Sequence, residues 1–275
     1  MRRDGEAETI KTRCCIVGGG PAGMMLGLLL ARAGVEVLVL EKHKGFLRDF
    51  RGDTVHPSTL EVMYELGLLE EFLQRPHQRL SELSGMIGGV GVRLADFTHV
   101  PAHCRFIALM PQWDFLDFLS SAAKRYPNFR LAMEAEATDL VTECERIVGV
   151  AATTPEGPLS VRADLVVACD GRHSTLRDAA GLPRDEFGVP IDVLWLRLSR
   201  KEPDSAEVLG RIAAGAIFVT LDRGDYWQCA LVIPKGGADR LKAGGWTRSA
   251  RSSCGWRRIA PTAWPNSKIG SRSNC

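Results

Sequence analysis

Two periods run through the hydrophobic and polar positions of this chain, and the points where they switch outline its elements. Cys14 to Val17 is an unbroken apolar run, the pattern of a strand buried on both faces. Met24 to Ala33 continues as an apolar helix, and Val35 to Leu40 reads as a second buried strand. Pro57 opens a helix over Ser58 to Leu66 with apolar residues at helical spacing. Phe106 to Met110 is strand-like, and Pro111-Gln112 opens a further helix to about Lys124. Leu131 to Val166 reads as short strands around a turn at Thr154-Pro155-Glu156-Gly157, and Leu165 to Ala168 as another buried strand. Leu83 to Phe97 predicts strands around Gly88-Gly89. Ile191 to Ser199, Ala216 to Leu221 and Tyr226 to Ile233 are strands too, the last two joined by the hairpin signature Asp222-Arg223-Gly224-Asp225.

Chemistry concentrates where the first strand turns into the first helix. Gly18, Gly20 and Gly23 form G-x-G-x-x-G, and Glu41 ends the next strand eighteen residues beyond Gly23. In such a unit the first glycine permits the tight turn, the second admits a pyrophosphate to the backbone, and the third lets helix and strand pack closely. The helix N-terminus offers N–H groups and partial positive charge to phosphates, and Glu41 can accept hydrogen bonds from ribose hydroxyls. Strand, turn, helix, strand and acid occur in order, so a dinucleotide site is expected. The acid disfavours a 2′-phosphate there, which leaves FAD or NAD.

The overall charge changes this picture little. The 275-residue chain carries a formal net charge of +2. From Arg240 to the end, however, there are eight basic residues and no acidic one. Taking those eight from 35 leaves 27 basic against 33 acidic residues, a net of −6 for the body. The body therefore makes no electrostatic case for nucleic acid or an anionic membrane. No apolar stretch is long enough to span a bilayer, no signal-type segment follows the N-terminus, and eight cysteines without a CxxC pair fit a reducing cytoplasm. His99, His103 and Cys104 lie close together, but the segment lacks a helix and a fourth ligand, so no metal site is expected.

Three segments resemble the class A flavoprotein monooxygenases, the group built like para-hydroxybenzoate hydroxylase and phenol hydroxylase. IVGGGPAG with LEK is similar to that family's first FAD fingerprint, FRGDTVHPSTLEVMYELGLLEEF to its second conserved region, and DLVVACDGRHSTLRDAAGL to its Asp-Gly fingerprint. The resemblance implies FAD contacts from Gly18, Gly20, Gly23, Glu41 and Lys42, from Arg51 near the pyrophosphate or ribityl chain, from Gln112 on the flavin side, and from Asp170 and Gly171 at the ribityl chain. Read by themselves, Arg51 also fits a solvated loop, Gln112 a helix cap and Ser174 a helix N-cap. The implied reaction uses NAD(P)H to reduce FAD and O₂ to hydroxylate an aromatic, phenol-like small molecule. No side chain can be named a catalytic acid or base from spacing. An FAD-dependent reductase or dehydrogenase shares the same nucleotide domain and is the alternative enzyme class.

The expected fold is α/β. A Rossmann-type FAD-binding domain, a glutathione reductase-like βαβ unit with a small antiparallel β layer (residues 10–82 and 104–185), is interleaved with a partial β-rich substrate domain (residues 83–103 and 186–238). Residues 239–275 stand apart. The last thirty hold three of the six tryptophans, no acid and no sustained period. A basic interaction arm is one reading; the other is a shifted reading frame or equivalent truncation, poorly ordered. The family's third fingerprint, of the form Gly-Asp-Ala-Ala-His, does not occur in the sequence. On that ground an inactive chain, or a non-catalytic flavoprotein fragment, stands as the alternative to the monooxygenase reading.

Overall fold

The structure, a computed structural model, describes residues 8–47, 54–199, 209–213, 216–223 and 226–239. Arg51, the tip of the 222–225 hairpin and the 240–275 segment lie outside the described residues. In chain order the elements are β1 (Glu8–Val17), α1 (Pro21–Arg32), β2 (Val37–Glu41), β3 (Thr54–Val55), α2 (Pro57–Glu65), α3 (Leu69–Leu73), β4 (Gln78–Leu80), β5 (Glu82–Ile87), β6 (Val90–Asp96) and β7 (Ile107–Leu109). They continue with α4 (Gln112–Ala123), β8 (Phe129–Met133), β9 (Glu136–Glu143), β10 (Arg146–Thr154), β11 (Gly157–Ala168), α5 (Thr175–Ala179), β12 (Ile191–Ser199), β13 (Leu209–Ala213), β14 (Ala216–Asp222) and β15 (Tyr226–Pro234).

The chain divides into two compact units, one of Met1–Thr54, Glu70–Pro76 and Met110–Asp185, the other of Val55–Leu69, His77–Leu109 and Glu186–Cys275. The first is built on a six-stranded sheet of order β8-β2-β1-β11-β10-β9. The strands β8, β2, β1 and β11 are parallel, with Cys14 opposite both Val37 and Leu165. β10 and β9 continue the sheet antiparallel. Neighbours on both sides explain why the apolar run at the end of β1 has no polar member: Cys14, Cys15, Ile16 and Val17 are all at most 4% exposed. The small antiparallel layer expected from the sequence is present as β9 and β10, joined to the parallel strands through β11. β11 is one strand of 12 residues that pairs with β10 over its first half and with β1 from Leu159 to Ala168.

Helix α1 packs against α4, and Gly27 lets α1 approach Val39 and Phe129 on the sheet. The opposite face of the sheet buries Cys15, Val17, Leu38, Leu40, Val150 and Val161 beneath Leu176 of α5. Phe72 explains why the short 70–76 segment belongs to this unit. It is fully buried and meets the Phe115 and Phe118 rings of α4 edge-on, with centroids 5.8 and 5.1 Å away. Asn128 ties the end of α1 to the start of β2 by donating from Nδ2 to the carbonyls of Ala31 (2.9 Å) and Val35 (2.7 Å).

The second unit holds a six-stranded sheet of order β12-β15-β14-β13-β5-β6, and a small sheet of order β3-β7-β4. The β5–β6 hairpin turns at Gly88 and Gly89, both at positive φ, as the glycine pair predicts. Strand β13 has no counterpart in the sequence reading. It joins β5 in parallel and β14 antiparallel, and five residues with an Arg at the centre carry too little pattern to announce it. His103 and His99 contact carboxylates and a ring of the same unit. His103 Nδ1 lies 2.7 Å from Glu61 Oε1, the His103 ring stacks on Tyr64, and His99 Nε2 lies 3.8 Å from Asp96. Among the described residues no helix is long and apolar enough to cross a membrane.

Candidate cofactor site

The first unit forms a cleft of about 410 Å³ at the carboxyl ends of its parallel strands, and every residue lining it belongs to that unit. Its floor is the turn from β1 to α1. Gly18 has φ +110°, and a Cβ there would lie 2.3 Å from the Cys169 carbonyl oxygen, so a side chain at this position is excluded twice. The turn is pinned by Gly18 N–H donating to Leu40 O (2.8 Å) and Cys169 N–H donating to Val17 O (2.7 Å). Gly23 lies one helical turn on and does not line the cleft; its Cα faces the Gly18 carbonyl so closely that a Cβ would sit 1.9 Å from that oxygen.

Gly20 is the N-cap of α1 and Pro21 follows at the first helical position. No side chain caps this end and no acid occupies its first turn. Its leading N–H groups have no intrahelical acceptor, and the helix dipole adds partial positive charge. Gly20, Pro21 and Ala22 line the cleft, so this end of the helix faces the space.

Two carboxylates stand at separate places on the wall. Glu41, at the end of β2, is 3% exposed. Its Oε2 accepts from Gly19 N–H at 2.9 Å and its Oε1 from His43 N–H at 3.0 Å, which sets the orientation of the group. Asp170 follows β11, and its Oδ2 accepts a long 3.3 Å hydrogen bond from Leu176 N–H. Its Oδ1 is buried and has no hydrogen-bond partner among the described residues. A buried acceptor without a donor is costly in a folded protein, and the residue that carries it lines the cleft. Burial first and the neighbouring Asp170 second push the Cys169 thiol upward.

Of the residues singled out in the sequence, the cleft brings together Gly18, Gly20, Glu41, Lys42, Gln112, Asp170 and Gly171. Gln112 is the first residue of α4 and lines the cleft, and no side-chain hydrogen bond caps that helix. Ser174 is a helix N-cap: its Oγ accepts from Arg177 N–H at 3.0 Å. The Arg172 carbonyl gathers the guanidinium groups of Arg177 and Arg184, each at 3.1 Å. The sequence did not reveal His43, Ala135, Glu136, Ala137, His173 or Thr175, which complete the wall. His43, His173 and Thr175 adjoin recognised motifs, which was the available signal. The 135–137 segment carried none, because Glu134 N–H to His43 O (3.1 Å) and Ala135 N–H to Glu41 O (2.9 Å) bring it into place from far along the chain.

The arrangement suits a dinucleotide. An uncapped helix end is suited to a pyrophosphate, and carboxylates able to accept from sugar or polyol hydroxyls stand on the two strand ends beside it.

Comparison with known proteins agrees. Residues 11–240 match the family described as FAD binding domain. A 6-methylpretetramide 4-monooxygenase of Streptomyces rimosus is 34% identical over 200 residues, covering 70% of this chain and 46% of the relative. A probable NADH-specific resorcinol 4-hydroxylase of Rhodococcus jostii (strain RHA1) is 31% identical over 199 residues, covering 69% of this chain and 36% of the relative. The crystal structure of PqsL, a probable FAD-dependent monooxygenase from Pseudomonas aeruginosa, superposes with a TM-score of 0.71 at 20% identity, over 85% of this chain and 64% of that one, a likeness of fold. The chain thus spans less than half the length of these curated relatives. With its Rossmann-type parallel sheet, its glycine turn and 230 residues in register with the family pattern, the chain belongs to the FAD binding domain family.

Proposed function

We propose that the chain binds FAD in this cleft and serves a monooxygenase that uses NAD(P)H and O₂ to hydroxylate an aromatic, phenol-like small molecule. One observation carries the FAD assignment: the uncapped α1 N-terminus, Glu41 with its oriented carboxylate, and Asp170, whose buried Oδ1 lacks a donor, line a single cleft. These groups fit the cofactor. Gly18 and Gly20, with the first N–H groups of α1, hold the pyrophosphate, and Gly23 keeps that helix end close to the turn. Glu41 accepts from the adenosine ribose, with Lys42 beside it. Asp170 Oδ1 gains its missing donor from a ribityl hydroxyl, and Gly171 (φ +89°) turns the chain away from that contact. Gln112 faces the flavin side, and Arg51 is assigned to the pyrophosphate or ribityl chain from its sequence context alone.

When bound, FAD supplies the redox chemistry; the residues named here bind and orient it. The names of the relatives support the monooxygenase reading, and the resorcinol hydroxylase supports an aromatic substrate and a nicotinamide donor. The test is direct. The purified chain, as isolated or after incubation with FAD and gel filtration, is expected to show flavin absorbance in the visible range. A colourless protein that retains no added FAD would sink the assignment. Oxygen uptake with NADH or NADPH and a phenol separates a monooxygenase from an FAD-dependent reductase, which would oxidise the nicotinamide without incorporating oxygen into product.

A further inference from the structure

The six-stranded sheet of the second unit ends in β12 on one side and β6 on the other, and the two edges are built differently. β12 is guarded by charge. Asp192 lies 3.5 Å from Lys235 Nζ and accepts from Gly236 N–H at 2.7 Å, and Arg197 lies over the Tyr226 ring. Such charges discourage pairing with another strand. The β5–β6 hairpin is less protected: residues 82–96 contain no proline and no lysine, and Arg93 is held by Glu82 (3.3 Å) and Asp96 (3.2 Å) of the same hairpin. A bulge beside Leu94 closes off only the far end of the strand. Among the described residues no strand pairs with the outer side of β6, so its outward N–H and C=O groups form an open ladder. One face of this edge is also apolar. Ile217, Ile212, Ile87 and Val90 stand opposite one another across β14, β13, β5 and β6, so an apolar row runs straight to the edge. Val92 belongs to the same face, and so does Leu94, whose Cδ1 would lie 3.3 Å from a Cβ on Gly85, the residue opposite Val92. Val90, Val92 and Leu94 are 65%, 37% and 45% exposed.

We propose that this edge joins two copies of the chain, β6 pairing antiparallel with β6 of a second copy about a twofold axis at Val92. A twofold contact is self-complementary, so the edge must match its own sequence read backwards. With the axis at Val92, that residue meets its copy, Val90 meets Leu94, and Gly91 meets Arg93. Apolar side chains then face one another along one side of the joined sheet, and each arginine lies opposite a glycine. An axis at Arg93 would set two guanidinium groups directly opposite, which is unfavourable. An axis at Gly91 would leave Leu94 against Gly88 in the turn. Charge and apolar match thus select the same arrangement, and the occupant they fit is a second β6 edge.

Sedimentation of the full chain over a wide concentration range tests this contact. The wild type is expected to form a dimer that dissociates on dilution. Val92→Lys sets like charges face to face at the axis and is expected to raise the dimer dissociation constant by about tenfold or more. Val92→Glu should do the same, and an equimolar mixture of the two variants should dimerise again, because opposite charges then meet. Ile217→Lys is the contrast: it lies on the same apolar face but away from the edge, so the dimer survives. Amide hydrogen exchange at residues 90–94 of the wild type should slow as concentration rises, and this measurement decides the matter if the variants do not fold. A wild type that stays monomeric leaves the edge to another polypeptide or to none, and overturns the proposal. So does assembly that continues past the dimer, a dimer that Val92→Lys leaves intact, or a lysine–glutamate mixture that stays monomeric. Loss of the dimer in a folded Ile217→Lys would place the contact on the face of the sheet, and exchange at residues 90–94 that ignores concentration would place it elsewhere; either result overturns edge pairing.

Discussion

Asp170→Ala should separate binding from stability, and its magnitudes can be worked from the cleft. In the free protein this side chain contributes one long hydrogen bond, Oδ2 to Leu176 N–H at 3.3 Å, and leaves Oδ1 buried without a donor. A typical hydrogen bond contributes about 1 kcal/mol net, while a buried unsatisfied polar atom costs about 1–3 kcal/mol. Deleting both together should leave the FAD-free protein as stable as the wild type or slightly more so. Binding behaves in the opposite way. A hydroxyl donating to a carboxylate contributes about 1.5–3 kcal/mol, so FAD affinity should fall roughly 10- to 150-fold. The assay is thermal melting with and without FAD at about a hundred times the wild-type Kd. There the cofactor stabilises the wild type by about 2.7 kcal/mol, and the variant by only about 0.3–1.4 kcal/mol. At about 2–4 °C per kcal/mol, the wild-type shift is about 5–11 °C and the variant's at most about half of that. A variant that melts well below the wild type without FAD, yet shows the full shift with it, would refute this account and make Asp170 a structural residue.

Further expectations concern the framework of the same unit. Phe72→Ala removes a fully buried ring from the 70–76 segment and should cost about 3–5 kcal/mol in urea unfolding. A loss under 1 kcal/mol would mean that this segment is not held by its aromatic contacts. Asn128→Asp exchanges the donor shared by Ala31 O and Val35 O for an acceptor, and should destabilise by about 1–3 kcal/mol, more than Asn128→Ala. The reverse order in chemical denaturation would contradict the hydrogen-bond assignment. Burial above all, helped by Cys14 nearby, pushes the Cys15 thiol up to about 12 from 9.0. The raised folded value means that this group's contribution to stability is complete below pH 9 and is lost as pH rises from 9 towards 12. Cys15→Val should flatten the fall in unfolding free energy over that window, and identical pH profiles for the two proteins would argue against it.

How much of this was legible in the sequence depended on whether a residue's partner lay nearby in the chain. The β1–α1–β2 unit was readable because its glycines, apolar runs and acid sit within 28 residues, Cys14 to Glu41, and each constraint is local: the turn at Gly18, the close approach at Gly23, the buried strands. Asp170 was readable for the same reason, as an acid just past a buried strand. Its most informative property was not. Whether Oδ1 has a donor depends on Leu176 and the surrounding packing, which no spacing encodes. The wall at Ala135–Ala137 was invisible because it is placed by backbone hydrogen bonds to Glu41 and His43, and the backbone carries no sequence signature. The single span of β11 was hidden as well. Its middle, Val161-Arg162-Ala163-Asp164, mixes charge with apolar residues because Arg162 pairs with Glu143 of β9 at the surface, so the period breaks where the strand does not.

The pairing of β1 with β11 fixes an order of assembly. Cys14 opposes Leu165, so the cleft needs two segments that leave the ribosome about 150 residues apart, roughly 8–30 seconds of synthesis. Until β11 arrives, the inner edge of β1, whose last four residues are all apolar, has no partner on that side and offers a template for wrong pairing. Such late, non-local closure is slow by its topology. Cofactor capture can then report on completion: a chain that takes up the dinucleotide has already closed its longest loop, and a ligand that waits for that closure protects the open edge only after the most vulnerable interval has passed.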